Sequence, residues 1–276
     1  MYDKIIGDLA DKVPTSAEDT YIGADGLKHC KKCNSAVEVK INVFDEERIV
    51  PCICKCRADE LKREKETRER IELHQKIKRY KNMAFPESDL ESWTFENDDG
   101  LNADVMNVAK NYVTNFKEFK KLSKGLIFHG PYGTGKTYVA ASIANALLDK
   151  GIPVLMTNFT RIINTISGMY SGKQEYLDSL NQFDLLILDD LGVERSSEYM
   201  QENVFNIIDS RYRAGLPLII TTNLTLAEIS TAKSKNEIRI YDRVIEMCHP
   251  IEVKGTSRRR KKVGESYYEI NKLLGI

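Results

Sequence analysis

One segment restricts the possible folds of this chain more than any other: residues 130–137 read Gly-Pro-Tyr-Gly-Thr-Gly-Lys-Thr and match the phosphate-binding P-loop pattern in full. The segment follows the short apolar stretch Gly125–His129 and precedes a helix-prone stretch at 138–148. A strand, a glycine-rich loop and a helix in this order form the structural context that a P-loop requires. The segment therefore predicts an α/β fold with a phosphate site where the strand ends.

The residue types of this loop suit phosphate chemistry. Glycine allows backbone N–H groups to converge on phosphate oxygens, and the helix that follows presents the positive end of its dipole to the same oxygens. Lys136 is expected to reach the β- and γ-phosphates, and the Thr137 hydroxyl is expected to bind Mg²⁺. The predicted phosphate-binding residues are Gly130, Pro131, Tyr132, Gly133, Thr134, Gly135, Lys136 and Thr137.

Four more short apolar segments follow the P-loop and alternate with helix-prone stretches. They lie at 154–156, 185–188, 218–220 and 251–253, and each is bounded by Gly, Pro, Asp or Asn. Short continuous apolar segments are typical of strands that are buried on both faces of a parallel sheet. Together with the strand before the P-loop, they predict a five-stranded parallel sheet with helices on its faces.

Polar residues follow two of the predicted strands. Asp189 and Asp190 come directly after the strand at 185–188, and Asn223 follows the strand at 218–220. Beside a P-loop, Asp189 is expected to hold Mg²⁺, usually through water, and Asp190 to polarise the water that attacks the γ-phosphate. Asn223 is expected to orient that water. The alternative for all three residues is a helix cap or a turn, which is their usual role without a P-loop.

Five of the six cysteines lie between residues 30 and 56, on both sides of a segment that predicts a β-hairpin with strands at 37–43 and 48–50. The hairpin would bring the flanking cysteine pairs together, and four thiolates suit a structural zinc site without an open position. Cys52 and His29 are alternative ligands, and free buried cysteines are the alternative to a metal site. The predicted zinc ligands are Cys30, Cys33, Cys54 and Cys56.

The chain divides into three predicted parts: a zinc-binding module at 1–56 that begins with a short helix at 3–12, a charged helical linker at 57–85, and a P-loop domain at 86–276 that begins at Pro86. The 41 basic residues balance the 41 acidic ones, so a nucleic-acid contact has to come from a local patch. No apolar run approaches the roughly 18 residues that span a bilayer, and the N-terminus lacks the apolar stretch of a signal peptide. We therefore expect a cytoplasmic protein without membrane contact.

The order of these motifs is similar to that of the AAA+ ATPases: the P-loop, then Leu-Asp-Asp-Leu-Gly at 188–192, Thr-Thr-Asn at 221–223 and Tyr-Asp-Arg at 241–243. More narrowly, the chain resembles the helicase-loader group typified by DnaC and DnaI, with the IstB transposition ATPases as near relatives. The resemblance runs from about residue 80 to residue 262, roughly two-thirds of the chain. It implies that ATP and Mg²⁺ are the ligands, that ATP is hydrolysed to ADP and phosphate, and that copies of the AAA+ domain associate.

The resemblance also implies roles for two arginines. Arg243 stands where these ATPases keep the arginine finger, which reaches the γ-phosphate bound by a neighbouring subunit. Arg239 is the fallback candidate, and a surface salt bridge is the structural alternative for Arg243. Arg259 stands at the sensor II position of a Gly-x-Ser-x-Arg motif, with Arg258 and Arg260 as alternatives.

The layout as a whole resembles the DnaI-type loaders, which carry an N-terminal zinc-containing helicase-binding domain. The resemblance therefore implies an ATP-dependent loader of a replicative hexameric DNA helicase that also binds single-stranded DNA. Many AAA+ members have Glu where this chain has Asp190, and the shorter side chain implies slow hydrolysis that DNA or a partner stimulates. The implied DNA contacts interleave aromatic and basic side chains, as stacking and phosphate binding require: Phe159, Arg161, Tyr170, Lys173 and Tyr176.

Several alternatives remain at the level of the sequence. Phe159 and Tyr170 could instead be helix-core residues. An IstB-like ATPase that assists a transposase would share the same core and differ only in its partner. An initiator similar to DnaA would need a helix-turn-helix domain after the core, and only a short segment follows Lys262. In a zinc adaptor, ATP would be a structural ligand only.

Overall fold

The structure, a computed structural model, describes residues 19–44, 46–85, 89–192, 198–232, 234–259, 267 and 270–276. The helix expected at 3–12, Pro86 and the sensor II alternative Arg260 lie outside the described residues. The chain forms two compact units, one that extends to His74 and one that begins at Gln75.

The N-terminal unit contains two small antiparallel sheets. Strand β1 (Thr20–Ile22) pairs with β2 (Lys28–Cys30), and β3 (Glu38–Val43) pairs with β4 (Glu46–Pro51). The second pair is the expected hairpin, and it is followed by the long charged helix α1 (Lys55–Ala84).

The apolar face of the hairpin is less buried than the alternation predicts. Val39 is 42% and Ile41 36% exposed, whereas Val37, just before β3, is buried beside the cysteines. Among the described residues of this unit, no second sheet or helix covers Val39 and Ile41. A hairpin without a second layer cannot bury either face.

Among its described residues, the second unit contains the end of α1, five strands, further α-helices and two 3₁₀ helices, and residues 270–274 are also helical. The strands are β5 (Gly125–His129), β6 (Val154–Asn158), β7 (Leu185–Leu191), β8 (Leu218–Thr222) and β9 (Cys248–Glu252). The helices are α2 (Ala103–Thr114), α3 (Phe116–Lys121), α4 (Lys136–Asp149), α5 (Phe159–Ser167), α6 (Lys173–Ser179), α7 (Glu198–Arg213), α8 (Leu226–Ser230) and α9 (Lys235–Met247). The 3₁₀ helices are Asp89–Ser92 and Leu180–Gln182.

The five strands form one parallel sheet in the order β6-β7-β8-β5-β9, which confirms the predicted fold. The expected position of the last strand was wrong, because β9 begins at Cys248 and ends at Glu252 instead of covering 251–253. Its sequence contains the polar His249 and also Pro250, so the strand does not form a continuous apolar run. Pro250 is tolerated because β9 lies at the edge of the sheet, where an outward-facing N–H is not needed.

Hydrophobic side chains cover both faces of the sheet. On β5, Leu126 and Phe128 pack with residues of α2 and α4 on one face, whereas Ile127 packs with residues of α5, α7 and α9 on the other. The β5 residues are all buried, as expected for a central strand of a parallel sheet. The carboxyl ends of β5, β7 and β8 therefore lie side by side on a rigid base.

Candidate nucleotide and metal sites

The P-loop connects the end of β5 to the first turn of α4. Gly130 has a φ of 141°, and a Cβ atom there would lie 2.5 Å from the Val253 carbonyl oxygen. Gly135 has a φ of 101° and is the N-cap of α4. Only glycine adopts these conformations without strain, so the loop can turn sharply and point its N–H groups at one place.

The ammonium group of Lys136 lies at the centre of this loop. Its Nζ donates to the Gly130 carbonyl at 2.9 Å, to the Pro131 carbonyl at 2.8 Å and to Asn223 Oδ1 at 2.7 Å. The side chain is buried, and burial lowers the pKa of Lys136, while Asp190 and Asp189 oppose that shift. The structure thus brings Lys136 and Asn223 together although they are 87 positions apart.

Two side chains beside Lys136 could hold Mg²⁺. The Thr137 hydroxyl donates to Asp189 Oδ2 at 3.2 Å. Neighbouring ligands of an octahedral Mg²⁺ ion are about 2.9 Å apart, so this oxygen pair fits the ion. Burial raises the pKa of the Asp189 carboxyl, and the hydrogen bonds from Thr221 and Thr137 act in the opposite direction.

Asp190 is positioned by an irregularity in the sheet. It has a φ of 59°, and the pairing of β7 with β8 shifts between Leu188 and Leu191. Asn223 Nδ2 lies 3.4 Å from Asp190 Oδ1. The structure thus brings Asp190 and Asn223 to the same side of the P-loop, although their roles in hydrolysis remain predictions.

A cavity of about 460 Å³ opens beside the P-loop. Trp93 and Tyr138 form one wall, with ring centroids 5.6 Å apart.

The two sensor II candidates, Arg258 and Arg259, both line the cavity. Arg258 also pairs with Asp99 at 2.9 Å, and its backbone N–H donates to Gly133. Both arginines therefore remain compatible with the sensor II position.

The segment before α2 is attached to the nucleotide site by residues that were not predicted from the sequence. The Asn102 side chain donates to the Thr134 carbonyl at 3.0 Å, and the Tyr138 hydroxyl donates to the Thr94 carbonyl at 2.7 Å. Asn145, on α4, donates to the Trp93 carbonyl at 3.0 Å. These contacts join residues more than 30 positions apart, and no local motif signals them.

Arg243 lies outside the cavity of its own chain. Its guanidinium pairs with Asp209 at 2.7 Å and stacks on the Tyr212 ring at 4.6 Å. Arg239 lies over the Phe205 ring at 4.0 Å. The salt bridge matches the structural alternative for Arg243, and a position away from its own nucleotide site is also what a residue acting on a neighbouring subunit requires. The finger role remains a prediction.

The four predicted zinc ligands come together in the N-terminal unit. Their sulfur atoms all lie within 4.8 Å of one another, and the Cys30–Cys56 and Cys54–Cys56 sulfurs are 3.7 and 3.2 Å apart. A tetrahedral zinc ion with bonds of about 2.3 Å separates its sulfur ligands by about 3.8 Å, so this donor set fits zinc. The hydroxyl of Ser35 lies 3.1 Å from Cys33 Sγ, and its hydrogen bond, together with those from the Cys56 and Ser35 backbones, lowers the pKa of that thiol to about 5.

The two alternative ligands are engaged elsewhere. The Cys52 thiol points to the Ala36 carbonyl at 3.5 Å. His29 contacts Asp25 through Nε2 at 2.9 Å and the Asn34 carbonyl through Nδ1 at 3.2 Å. Neither side chain belongs to the sulfur cluster.

The segment expected to contact DNA is only partly exposed. Phe159 is fully buried among the residues of α5 and the sheet, which agrees with the alternative of a core residue and excludes base stacking by this ring. Tyr170 is fully exposed, so it is not a core residue. Lys173 is also exposed, and Tyr176 is half-buried.

The chain is similar in sequence to two curated helicase loaders. Replicative helicase loader DnaC of Escherichia coli (strain K12) is 29% identical over 158 residues, which cover 56% of this chain and 61% of DnaC. Replicative helicase loader DnaI of Bacillus subtilis (strain 168) is 25% identical over 161 residues, which cover 54% of this chain and 51% of DnaI. The alignments thus span less than two-thirds of either relative.

A solved structure from Streptococcus pyogenes serotype M3 shares the fold, with a TM-score of 0.50 and 22% identity over 60% of this chain and 87% of that chain. Within the described part of the chain, no helix has both the length and the apolar character needed to cross a membrane. The model of the IstB-like ATP binding protein family matches residues 57–266. Because this match spans well over half of the chain and the motif order resembles the same group, the protein belongs to the IstB-like ATP binding protein family.

Proposed function

We propose that this protein is an ATP-dependent loader of a replicative hexameric DNA helicase. The observation that carries the proposal is the combination of a four-sulfur cluster in the N-terminal unit with a complete nucleotide site in the second unit. The similarity to the loaders DnaC and DnaI supports it. We also propose that the protein is cytoplasmic and that it consists of a zinc-binding module at 1–56, a helical linker at 57–85 and an AAA+ ATPase domain at 86–276.

In the proposed hydrolysis, each polar residue of the nucleotide site has one task. Lys136 exchanges its carbonyl acceptors for β- and γ-phosphate oxygens and stabilises their charge. Thr137 and Asp189 hold Mg²⁺, which neutralises charge on the same phosphates when bound. Asp190 polarises the attacking water, and Asn223 orients it.

The N-terminal unit is the proposed helicase-binding part. Zinc held by the four cysteines would fix the position of the hairpin, whose apolar side chains remain available to a partner. Phe44 at the turn is 98% exposed and Ile49 on β4 is 54% exposed. Exposed apolar side chains on a small rigid unit are typical of protein-binding surfaces.

A capture experiment tests the proposed partner. The full-length protein, immobilised with ATP and Mg²⁺, is mixed with lysate of its own source cells, with and without a zinc chelator, and captured proteins are identified by mass spectrometry. We expect the hexameric helicase to be captured only when the metal is retained. Absence of the helicase under both conditions would contradict the proposal.

The second candidate is an ATPase that assists a transposase in DNA transposition. The match to the IstB-like family supports this candidate. Both candidates would use the same core, so only the partner distinguishes them. Capture of a transposase in place of the helicase would support this candidate. In both cases we propose that the AAA+ domain self-associates and binds single-stranded DNA.

Replacing Arg243 with alanine tests the proposed finger. ATP affinity should change little, because Arg243 does not line the cavity of its own chain. Turnover should fall by about 10³-fold, as expected when an arginine that stabilises the transferred phosphoryl group is lost. The two quantities are measured by titration with a fluorescent ATP analogue and by phosphate release with single-stranded DNA and helicase.

Arg213→Ala is the matched control, because Arg213 pairs with the same carboxylate of Asp209 at 2.7 Å and is largely exposed. A mixture of Arg243→Ala and Lys136→Ala proteins should regain part of the turnover if the finger acts on a neighbouring subunit. Wild-type turnover by Arg243→Ala alone would remove the finger assignment.

A further inference from the structure

The hydroxyl of Thr221, the penultimate residue of β8, connects the two carboxylate residues of the nucleotide site. It donates to Asp189 Oδ1 at 2.5 Å and accepts a hydrogen bond from the Asp190 backbone N–H at 3.0 Å. The side chain is fully buried. Thr221 is not among the residues that line the nucleotide cavity, and its two hydrogen bonds go to the two aspartates.

The contact to Asp190 lies at the irregularity between β7 and β8. Successive side chains of a regular strand point to opposite faces, so two adjacent carboxylates would diverge. Here the pairing shifts between Leu188 and Leu191, and Asp190 adopts a φ of 59°. Thr221 supplies an acceptor for the part-buried Asp190 N–H at this shift, where the regular ladder partner is missing.

The contact to Asp189 determines how that carboxylate is oriented. Thr137 donates to Oδ2, and Thr221 donates to Oδ1, so each oxygen is held by a different threonine. Without the Thr221 hydroxyl, the half-buried Asp189 carboxylate could rotate about its last torsion. The Mg²⁺ ligand would then lose both its orientation and a hydrogen bond to its charged form.

We infer that Thr221 is a positioning residue that couples the Mg²⁺ ligand Asp189 to the water-polarising Asp190. The inference rests on the proposed ATP hydrolysis for the role of Asp190, and only on ATP·Mg²⁺ binding for the role of Asp189. Thr221 therefore sets the geometry of both carboxylates with one hydroxyl, from a position outside the lining of the nucleotide cavity.

Thr221→Val removes the hydroxyl and keeps the shape of the side chain, and Thr221→Ser keeps the hydroxyl. Thr222→Val is the matched control: Thr222 is the next residue, is equally buried, and its hydroxyl donates to the Leu191 carbonyl at 2.7 Å and accepts from the Leu224 N–H at 3.1 Å instead of contacting the aspartates. For each full-length protein, a fluorescent ATP analogue is titrated in EDTA, and Mg²⁺ is then titrated into the complex. Phosphate release gives kcat and KM separately.

For Thr221→Val we expect the Mg²⁺ midpoint to rise by about tenfold or more, as for other residues that orient a metal ligand. Affinity for the analogue in EDTA should stay within about twofold, and kcat should fall by about 10²-fold with little change in KM. Thr221→Ser should restore most of both properties. Thr222→Val should lower the melting temperature without moving the Mg²⁺ midpoint.

The inference is overturned if Thr221→Val and Thr222→Val shift the Mg²⁺ midpoint equally, or if Thr221→Val weakens binding in EDTA as much as in Mg²⁺. Either result would indicate a general packing role. If the wild-type protein binds ATP·Mg²⁺ but never hydrolyses ATP, the proposed function fails, and the Mg²⁺ midpoint still tests Thr221.

Discussion

Replacing Lys136 with alanine is expected to weaken ATP binding by about 100-fold or more. Lys136 is the cation that the P-loop holds at its centre, between the Gly130 and Pro131 carbonyls and Asn223. Hydrogen bonds to charged groups contribute about 1.5–3 kcal/mol each, and two such bonds to phosphate oxygens correspond to a factor of at least about 10² in affinity. Titration with a fluorescent ATP analogue measures the loss directly.

A thermal measurement gives an independent check. Saturating ATP·Mg²⁺ should raise the melting temperature of the wild-type protein, since a ligand present at about 100 times its Kd stabilises the folded state by about 2.7 kcal/mol. The Lys136→Ala protein should show almost no rise. Lys150→Ala is the matched control, because Lys150 follows the other end of α4 and donates to the Val113 carbonyl far from the P-loop. An affinity of Lys136→Ala within about threefold of wild type would contradict the assignment.

Replacing Cys54 with serine is expected to remove zinc and to unfold the N-terminal unit. Among the described residues, the buried core of this unit consists of only Cys30, Val37 and Cys54. So small a core cannot offset the entropy of ordering the chain, whereas structural zinc contributes about 10–16 kcal/mol to folding in small domains. Elemental analysis should find about one zinc per wild-type chain and almost none in the variant.

We expect the Cys54→Ser substitution to unfold only the N-terminal unit. Limited proteolysis should cleave the variant within the hairpin, and capture of the helicase should be lost, while ATP binding persists because the nucleotide site lies in the second unit. Cys52→Ser is the matched control, because Cys52 lies in the same segment and its thiol contacts the Ala36 carbonyl outside the cluster. Equal zinc content in the Cys54→Ser and wild-type proteins would contradict a four-cysteine site.

Local sequence patterns were sufficient to predict the parallel sheet and the P-loop, because both depend on properties of residues that are close in the sequence. An apolar run buried on both faces, or a glycine with a positive φ before a helix, is specified by neighbouring residues. The strand β9 was placed inaccurately for the same reason: His249 and Pro250 interrupt its apolar pattern, and only pairing with β5 defines its extent. The alternation of apolar and polar residues predicted the hairpin. It did not predict that Val39 and Ile41 are exposed.

A P-loop, an α/β fold and a cluster of cysteines with metal-ligand spacing can all be predicted from the amino-acid sequence of this chain. Which distant residues meet is visible only in the folded protein. There, Asn223 meets Lys136, Asn102 meets the P-loop, and Thr221 meets both Asp189 and Asp190. Phe159 is buried in the core and is not on the surface. Such contacts depend on which strands are neighbours in the sheet and where their pairing shifts, and neither property is encoded in a local pattern.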